Sequence, residues 1–176
     1  MSSCAEFKTA LLAEIPHLRF FALSLTRMPD RADDLVQDTL IKAWAASDRF
    51  VLGTSMRAWL FTILRNTFYS GYRKRRREVQ DTDGVEAAKL VSLPTQAASM
   101  DLEDLKSALD KLTPDQREAI MLVGASGFSY EEAAEICGCA IGTVKSRVHR
   151  ARQNLMAIMG IEPMDELTRV APLVDA

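Results

Sequence analysis

The sequence predicts an all-α fold of two small helical domains joined by a flexible linker, on three observations. Glycine and proline are scarce, eight and six in 176 residues, while leucine, alanine, arginine and glutamate are frequent; such a composition favours helices over strands. Apolar residues recur at helical spacing through both ends of the chain. Between them, residues 78–99 (EVQDTDGVEAAKLVSLPTQAAS) lose that period and carry Gly84 and Pro94. Fully extended, that stretch spans roughly 70 Å, enough to hold two domains apart on one large partner. The expected organisation is a first domain over residues 5–77, a linker over 78–99, a second domain over 100–159 and a tail over 160–176.

In the first domain, Phe7, Leu11, Ile15, Leu18, Ala22 and Leu25 follow a helical period over residues 5–26, with a break or kink at Pro16. The segment PDRADDLVQDTLIKAWAAS predicts a second helix capped by Asp30, its positive end favoured by Asp33, and buried along Ala32, Val36, Leu40, Ala43 and Trp44. DRFVLGTS breaks the period and reads as a loop. A third helix over residues 55–77 buries Leu60, Ile63, Leu64 and Thr67, with Trp59, Phe61 and Phe68 also assigned to the core.

The second domain opens with the helix LEDLKSALDKL. TPDQREAIMLVGA follows, with Thr113 as N-cap, Pro114 at the first helical position and Gln116 closing a capping box. Ser129 and Glu132 repeat that signature in SYEEAAEIC, and Gly138 supplies the stop. The last helix runs over residues 141–159. Two helices joined by the tight turn GCA describe a helix-turn-helix unit.

The formal net charge is −2, but the charge is segregated. Residues 50–77 and 136–161 together hold half of the 22 bases and none of the 24 acids. Two positive patches therefore sit on a strongly negative body, an arrangement suited to a polyanion bound at both. No apolar run approaches the ~20 residues a bilayer requires, and the N-terminal stretch has no basic region followed by an apolar one; a cytoplasmic protein with no membrane partner is expected. Cys4, Cys137 and Cys139 are an odd number without metal-ligand spacing, and the last two read as small residues at a helix end. With two histidines, no glycine-rich phosphate loop and no nucleophile motif, neither catalytic residues, a metal nor a cofactor is expected.

Three surfaces remain. On the last helix Ile141, Val144, Val148, Ala151 and Leu155 share the packing side, leaving Thr143, Ser146, His149, Arg150 and Gln153 opposite and Lys145 and Arg147 on the flanks. Hydrogen-bonding side chains with cations beside them suit duplex DNA: Arg150 for a guanine edge, Arg147 and Lys145 for phosphates. On the third helix Thr62, Arg65, Asn66, Tyr69, Tyr72 and Arg73 lie away from the buried stripe, ahead of Lys74 and further bases, and rings alternating with cations suit unstacked single-stranded bases. On the second helix Asp34, Gln37, Asp38 and Ile41 form a stripe apart from the buried one, either solvating or a docking surface for a basic partner helix.

The motifs DDLVQDTLIKAW, MRAWLFTILRNTFYSGYRKRRRE and SYEEAAEICGCAIGTVKSRVHRAR, in that order, resemble the extracytoplasmic-function sigma factors of bacterial RNA polymerase over residues 11–155. The second and third are most similar to the general stress response sigma factors of the alphaproteobacteria. The resemblance implies that Asp34, Gln37, Asp38 and Ile41 dock on the clamp helices of the polymerase largest subunit. It implies that Arg65, Asn66, Tyr69, Tyr72, Arg73 and Lys74 engage the start-proximal promoter element, and that the loop over residues 48–55 holds a flipped base. Thr143, Lys145, Ser146, Arg147, His149 and Arg150 would read the upstream element as duplex, with the second domain near the polymerase flap and the linker threading the polymerase interior. A small anti-sigma factor would occlude both domains until it is removed. Two rival readings are a stand-alone helix-turn-helix regulator, because GTVKSR also resembles a response-regulator recognition helix, and a sigma mimic that only sequesters an anti-sigma factor.

Overall fold

In a computed structural model, the structure describes residues 2–51, 53–80 and 100–161, with side chains over 6–51, 53–73 and 104–161. Eight α-helices and two short irregular turns account for nearly all of them, and no strand occurs among the described residues. The segment expected as a linker lies outside the described residues from position 81, as does the tail from position 162.

The first four helices wrap one core. Helices α1 (Ser2–Ala13) and α2 (Ile15–Thr26) divide at Glu14, with Pro16 in the first turn of α2, where a missing N–H costs nothing. Helix α2 ends at Arg27, whose left-handed backbone (φ 60°) lets its N–H donate to the Leu23 carbonyl at 2.8 Å. Helix α3 (Pro29–Ala45) starts differently from expectation. The N-cap is Met28 in extended conformation and Pro29 takes the first helical position, so Asp30 sits in the first turn, where its charge still favours the positive helix end.

A single turn of 3-10 helix (Ser47–Arg49) and a loop lead to α4 (Met56–Gln80), which runs past the expected boundary at residue 77. Leu18, Phe21 and Ala22 of α2, Leu35, Val36 and Ala43 of α3, and Leu60, Phe61 and Leu64 of α4 are buried together. Thr39 joins them because its hydroxyl donates to the Leu35 carbonyl at 2.7 Å. Leu40, Ile63 and Thr67 are only partly buried, and Trp44 is exposed along one edge, its ring centroid 6.2 Å from that of Phe7.

The second group comprises α5 (Met100–Lys111), α6 (Pro114–Ile120), α7 (Tyr130–Cys137) and α8 (Ile141–Met159). Both expected capping boxes form. Thr113 accepts from the Gln116 N–H and Gln116 accepts from that of Thr113, and Ser129 and Glu132 do the same. Helix α6 widens into a π-turn (Met121–Ala125), in which the Ser126 N–H reaches back to the Met121 carbonyl at 2.9 Å. Gly138, at φ 63°, closes α7 and starts the turn into α8, whose Val144, Val148 and Ala151 are buried as the helical wheel predicts. Ile141 is largely exposed and Leu155 half-buried.

The two groups pack against each other. The Phe61 ring lies between Phe21 (centroids 4.9 Å, planes 24°) and Phe128 (4.9 Å, 73°), joining both interiors. The buried Arg117 guanidinium donates to the Leu109 and Leu112 carbonyls at 2.8 Å, to Asp110 at 3.2 Å and across to Ser24 of α2 at 3.4 Å. No buried side-chain nitrogen or oxygen among the described residues lacks a partner.

Candidate nucleic-acid interface

Helix α8 carries the most complete of the three surfaces. Ser146, His149, Arg150, Arg152 and Gln153 are exposed on one side, and Lys145 flanks them with its ammonium 5.7 Å from the Tyr130 ring centroid. The Ser146 hydroxyl donates to the Thr143 carbonyl at 2.9 Å, and Thr143 itself is partly buried. Arg147 is held by Asp115, in the first turn of α6, at 2.6 Å, and Asn154 donates to Gln116 at 3.1 Å. The capped start of α6 thus braces one flank of α8.

Helix α4 departs from the expected exposed aromatic-basic face. Asn66, Tyr72 and Arg73 are exposed, but Arg65 and Tyr69 are turned onto the second group of helices. The Arg65 Nε and Nη2 donate to Glu118 Oε1 at 2.8 Å and Oε2 at 3.3 Å, a two-pronged pair whose carboxylate side chain is 0 % exposed and whose guanidinium side chain is 19 % exposed. The Arg65 guanidinium also lies 4.7 Å from the Tyr69 ring centroid, and that ring meets Phe68 edge-on at 5.2 Å. Lys74 continues the α4 backbone, and its side chain lies outside the described residues.

The electrostatics of this cluster follow from burial. Desolvation pushes the Tyr69 hydroxyl up to about 12, with the Glu118 carboxylate adding to the rise. The Cys137 thiol, 3.8 Å from Glu118 Oε2, is likewise pushed up to about 12 by burial and then by that carboxylate. Glu118 is itself raised by desolvation, against which Arg65 pulls down. Cys137 is a free, buried residue at the end of α7, and no group of metal-ligating side chains occurs among the described residues.

On α3, Asp34, Gln37, Asp38 and Ile41 are all exposed in one line, with Ile41 67 % exposed. In the loop before α4, Phe50 packs on Trp59 (5.2 Å) and Phe7 (5.8 Å), fixing the base of the segment, while Val51 and Thr54 point outward and Gly53 takes φ 93°. A left-handed residue at a loop tip is where glycine is needed. Sequence reasoning missed the buried pair Arg117 and Glu118, and the ion pairs Arg57–Glu14 (2.9 Å) and Arg27–Asp110 (3.5 Å).

Comparison with known proteins agrees with this geometry. Residues 12–78 match the family model for sigma-70 region 2, and residues 102–155 that for sigma-70, region 4. The chain is 58% identical over 156 residues to the ECF RNA polymerase sigma factor EcfG of Rhodopseudomonas palustris, covering 89% of this chain and 86% of the relative. It is 40% identical over 138 residues to the ECF RNA polymerase sigma factor SigC of Mycobacterium tuberculosis, covering 78% and 73%. Among solved structures it superposes on the sigma factor RpoE of Bartonella quintana, crystallised with the anti-sigma factor NepR, at a TM-score of 0.82 and 59% identity over 90% of this chain and 99% of the other. It also superposes on CnrH, solved with the cytosolic domain of CnrY, at 0.65 and 30% identity over 89% of each chain. With regions 2 and 4 both present in order, the chain belongs to the extracytoplasmic-function branch of the sigma-70 family of RNA polymerase sigma factors.

Proposed function

We propose that this chain directs core RNA polymerase to two-part promoters and helps open them, acting through binding energy and without an enzymatic step. The exposed, acid-free face of α8, set on a capped and glycine-stopped helix-turn-helix, carries the reading. Thr143, Lys145, Ser146, Arg147, His149 and Arg150 read the upstream element in the major groove, with Arg150 on a guanine edge and Arg147 and Lys145 on phosphates. Arg65, Asn66, Tyr69, Tyr72, Arg73 and Lys74 engage the start-proximal element as it unpairs, and the loop over residues 48–55 receives a flipped base. Asp34, Gln37, Asp38 and Ile41 dock on the clamp helices of the largest polymerase subunit, and the second domain lies against the flap.

The site of action is the cytoplasm, where polymerase and promoter are; no helix among the described residues is long and apolar enough to cross a membrane. A small anti-sigma protein restrains the chain in a stress response, a partner carried over from the Bartonella quintana relative crystallised with NepR. Run-off transcription with core polymerase over a randomised promoter library tests the reading. Enriched two-part promoters are expected. Absence of transcripts, or nanomolar duplex binding with no affinity for core polymerase, would replace it with a stand-alone helix-turn-helix regulator.

A further inference from the structure

Four aromatic rings meet at the start of the loop before α4, one from each of four segments. Phe7 of α1 is the hub. Its ring centroid lies 6.2 Å from that of Trp44 on α3, 5.8 Å from Phe50 in the loop and 6.2 Å from Trp59 on α4, the last edge-on. Phe50 and Trp59 close the cluster at 5.2 Å. Tilted and edge-on pairs at such separations are favourable ring arrangements. Phe7 lies ahead of residue 12, where the match to region 2 begins, so α1 brings this ring from outside the matched domain.

Hydrogen bonds shape the loop from within, and the rings join its near end to three helices. The Phe50 N–H donates to the Ser47 carbonyl at 3.3 Å, and Thr54 closes back on the Val51 carbonyl through its N–H at 3.1 Å and its hydroxyl at 2.7 Å. Ser55 secures the far end, its hydroxyl accepting from the Ala58 N–H at 3.2 Å and its carbonyl from the Trp59 N–H at 3.1 Å. The near end rests on Phe50, and Phe50 rests on Phe7. A loop held in its receiving shape before contact costs less to order on binding. We propose that Phe7 is a positioning residue for base capture: through Phe50 it sets the loop before α4 in the shape that receives an unpaired base. This rests on the base-receiving role of that loop given above.

Loop positioning is tested on the free chain. Arg49 is exposed and directly precedes Phe50, so trypsin cleavage of the bond between them, followed by mass spectrometry, reports release of the ring. Phe7→Ala should speed that cut at least ~threefold, the size of one ring pair, at unchanged far-ultraviolet helicity. Emission from the two tryptophans, both against Phe7, should shift to the red. Phe7→Tyr keeps the ring and should behave as wild type, whereas Phe7→Leu keeps the apolar bulk and should behave as Phe7→Ala. Should Phe7→Ala unfold, Phe7→Leu carries the test. Wild-type cleavage in the ring-less variants overturns the inference, and loss of helicity in both makes Phe7 a plain core residue and overturns it too.

Base capture is read separately, with core polymerase on forked promoter DNA whose unpaired non-template strand carries one abasic site, moved position by position. Wild type should show a position at which removing the base lowers affinity. Phe7→Leu should shrink that difference at least ~threefold and Phe7→Tyr restore it, with upstream duplex preference and polymerase affinity unchanged. Undiminished discrimination, or an equal loss at every position, overturns the role in base capture. A wild type indifferent to abasic sites throughout would defeat the base-receiving reading and leave the positioning of the loop, read by trypsin, standing.

Discussion

Phe61 of α4 meets Phe128 edge to face, with ring centroids 4.9 Å apart and planes at 73°, while its other side is stacked on Phe21 at 4.9 Å. One side chain therefore belongs to both interiors. Phe61→Ala is expected to cost about 3–5 kcal/mol, the usual range for emptying a buried aromatic site. Phe128→Ala should instead uncouple the halves, turning one thermal transition into two in scanning calorimetry. A single, unshifted transition in Phe128→Ala would show that this contact does not couple them.

Arg117 is expected to be as sensitive as any core residue. Its guanidinium supplies donors to four carbonyls, those of Leu109, Asp110, Leu112 and Ser24. Arg117→Ala leaves those acceptors in a buried site, at about 3 kcal/mol or more in urea unfolding. Arg117→Lys, with three donors against five, should recover only part of that loss. Stability within experimental error of wild type for Arg117→Ala would mean that water replaces the guanidinium without cost.

Alkaline pH should loosen the fold. Tyr69 rises from 10.0 and Cys137 from 9.0, both to about 12, when the chain folds. Such groups stay protonated in the folded state and ionise in the unfolded one. Their contribution is complete below pH 9 and is lost as pH climbs towards 12. Urea midpoints across that window should fall, and Tyr69→Phe together with Cys137→Ala should flatten the decline. A slope unchanged in the double variant would assign it to other groups.

Base reading and polymerase docking should separate cleanly. Arg150 and Asp38 are both exposed, on α8 and α3, so neither Arg150→Ala nor Asp38→Arg should move stability by more than about 0.5 kcal/mol. Arg150→Ala is expected to lose about 1–3 kcal/mol of discrimination at one base pair of the upstream element, measured by selection from a promoter library. Asp38→Arg should abolish association with core polymerase in a pull-down. Normal association would disprove the α3 docking stripe.

Local signals were legible and cross-domain ones were not. Thr113, Gln116, Ser129, Glu132 and Gly138 announce helix ends through chemistry confined to a few residues, and all five act as expected. The α8 wheel placed Val144, Val148 and Ala151 inward and Ser146, His149 and Arg150 outward for the same reason. Asp30 failed as a cap because Pro29 fits the first helical position and moves the boundary back by two residues. Arg65 and Tyr69 were placed outward because a wheel drawn for one helix contains nothing about the helix that lands on it. Glu118 offered one clue, since it lies in line with Met121 and Leu122, both buried. A carboxylate on an apolar stripe asks for a partner, and the sequence does not say which of its arginines answers.

Arg27 ties local geometry to the joining of the halves. At φ 60° the backbone there is one that glycine adopts with ease and arginine resists. Glycine at that corner would relax the turn between α2 and α3 and remove the arm that grips Asp110. Comfort of the chain and attachment to its neighbour pull in opposite directions at this one position, so selection for a sturdier first domain would slacken the hinge, and selection for a tighter hinge must tolerate the cramped corner.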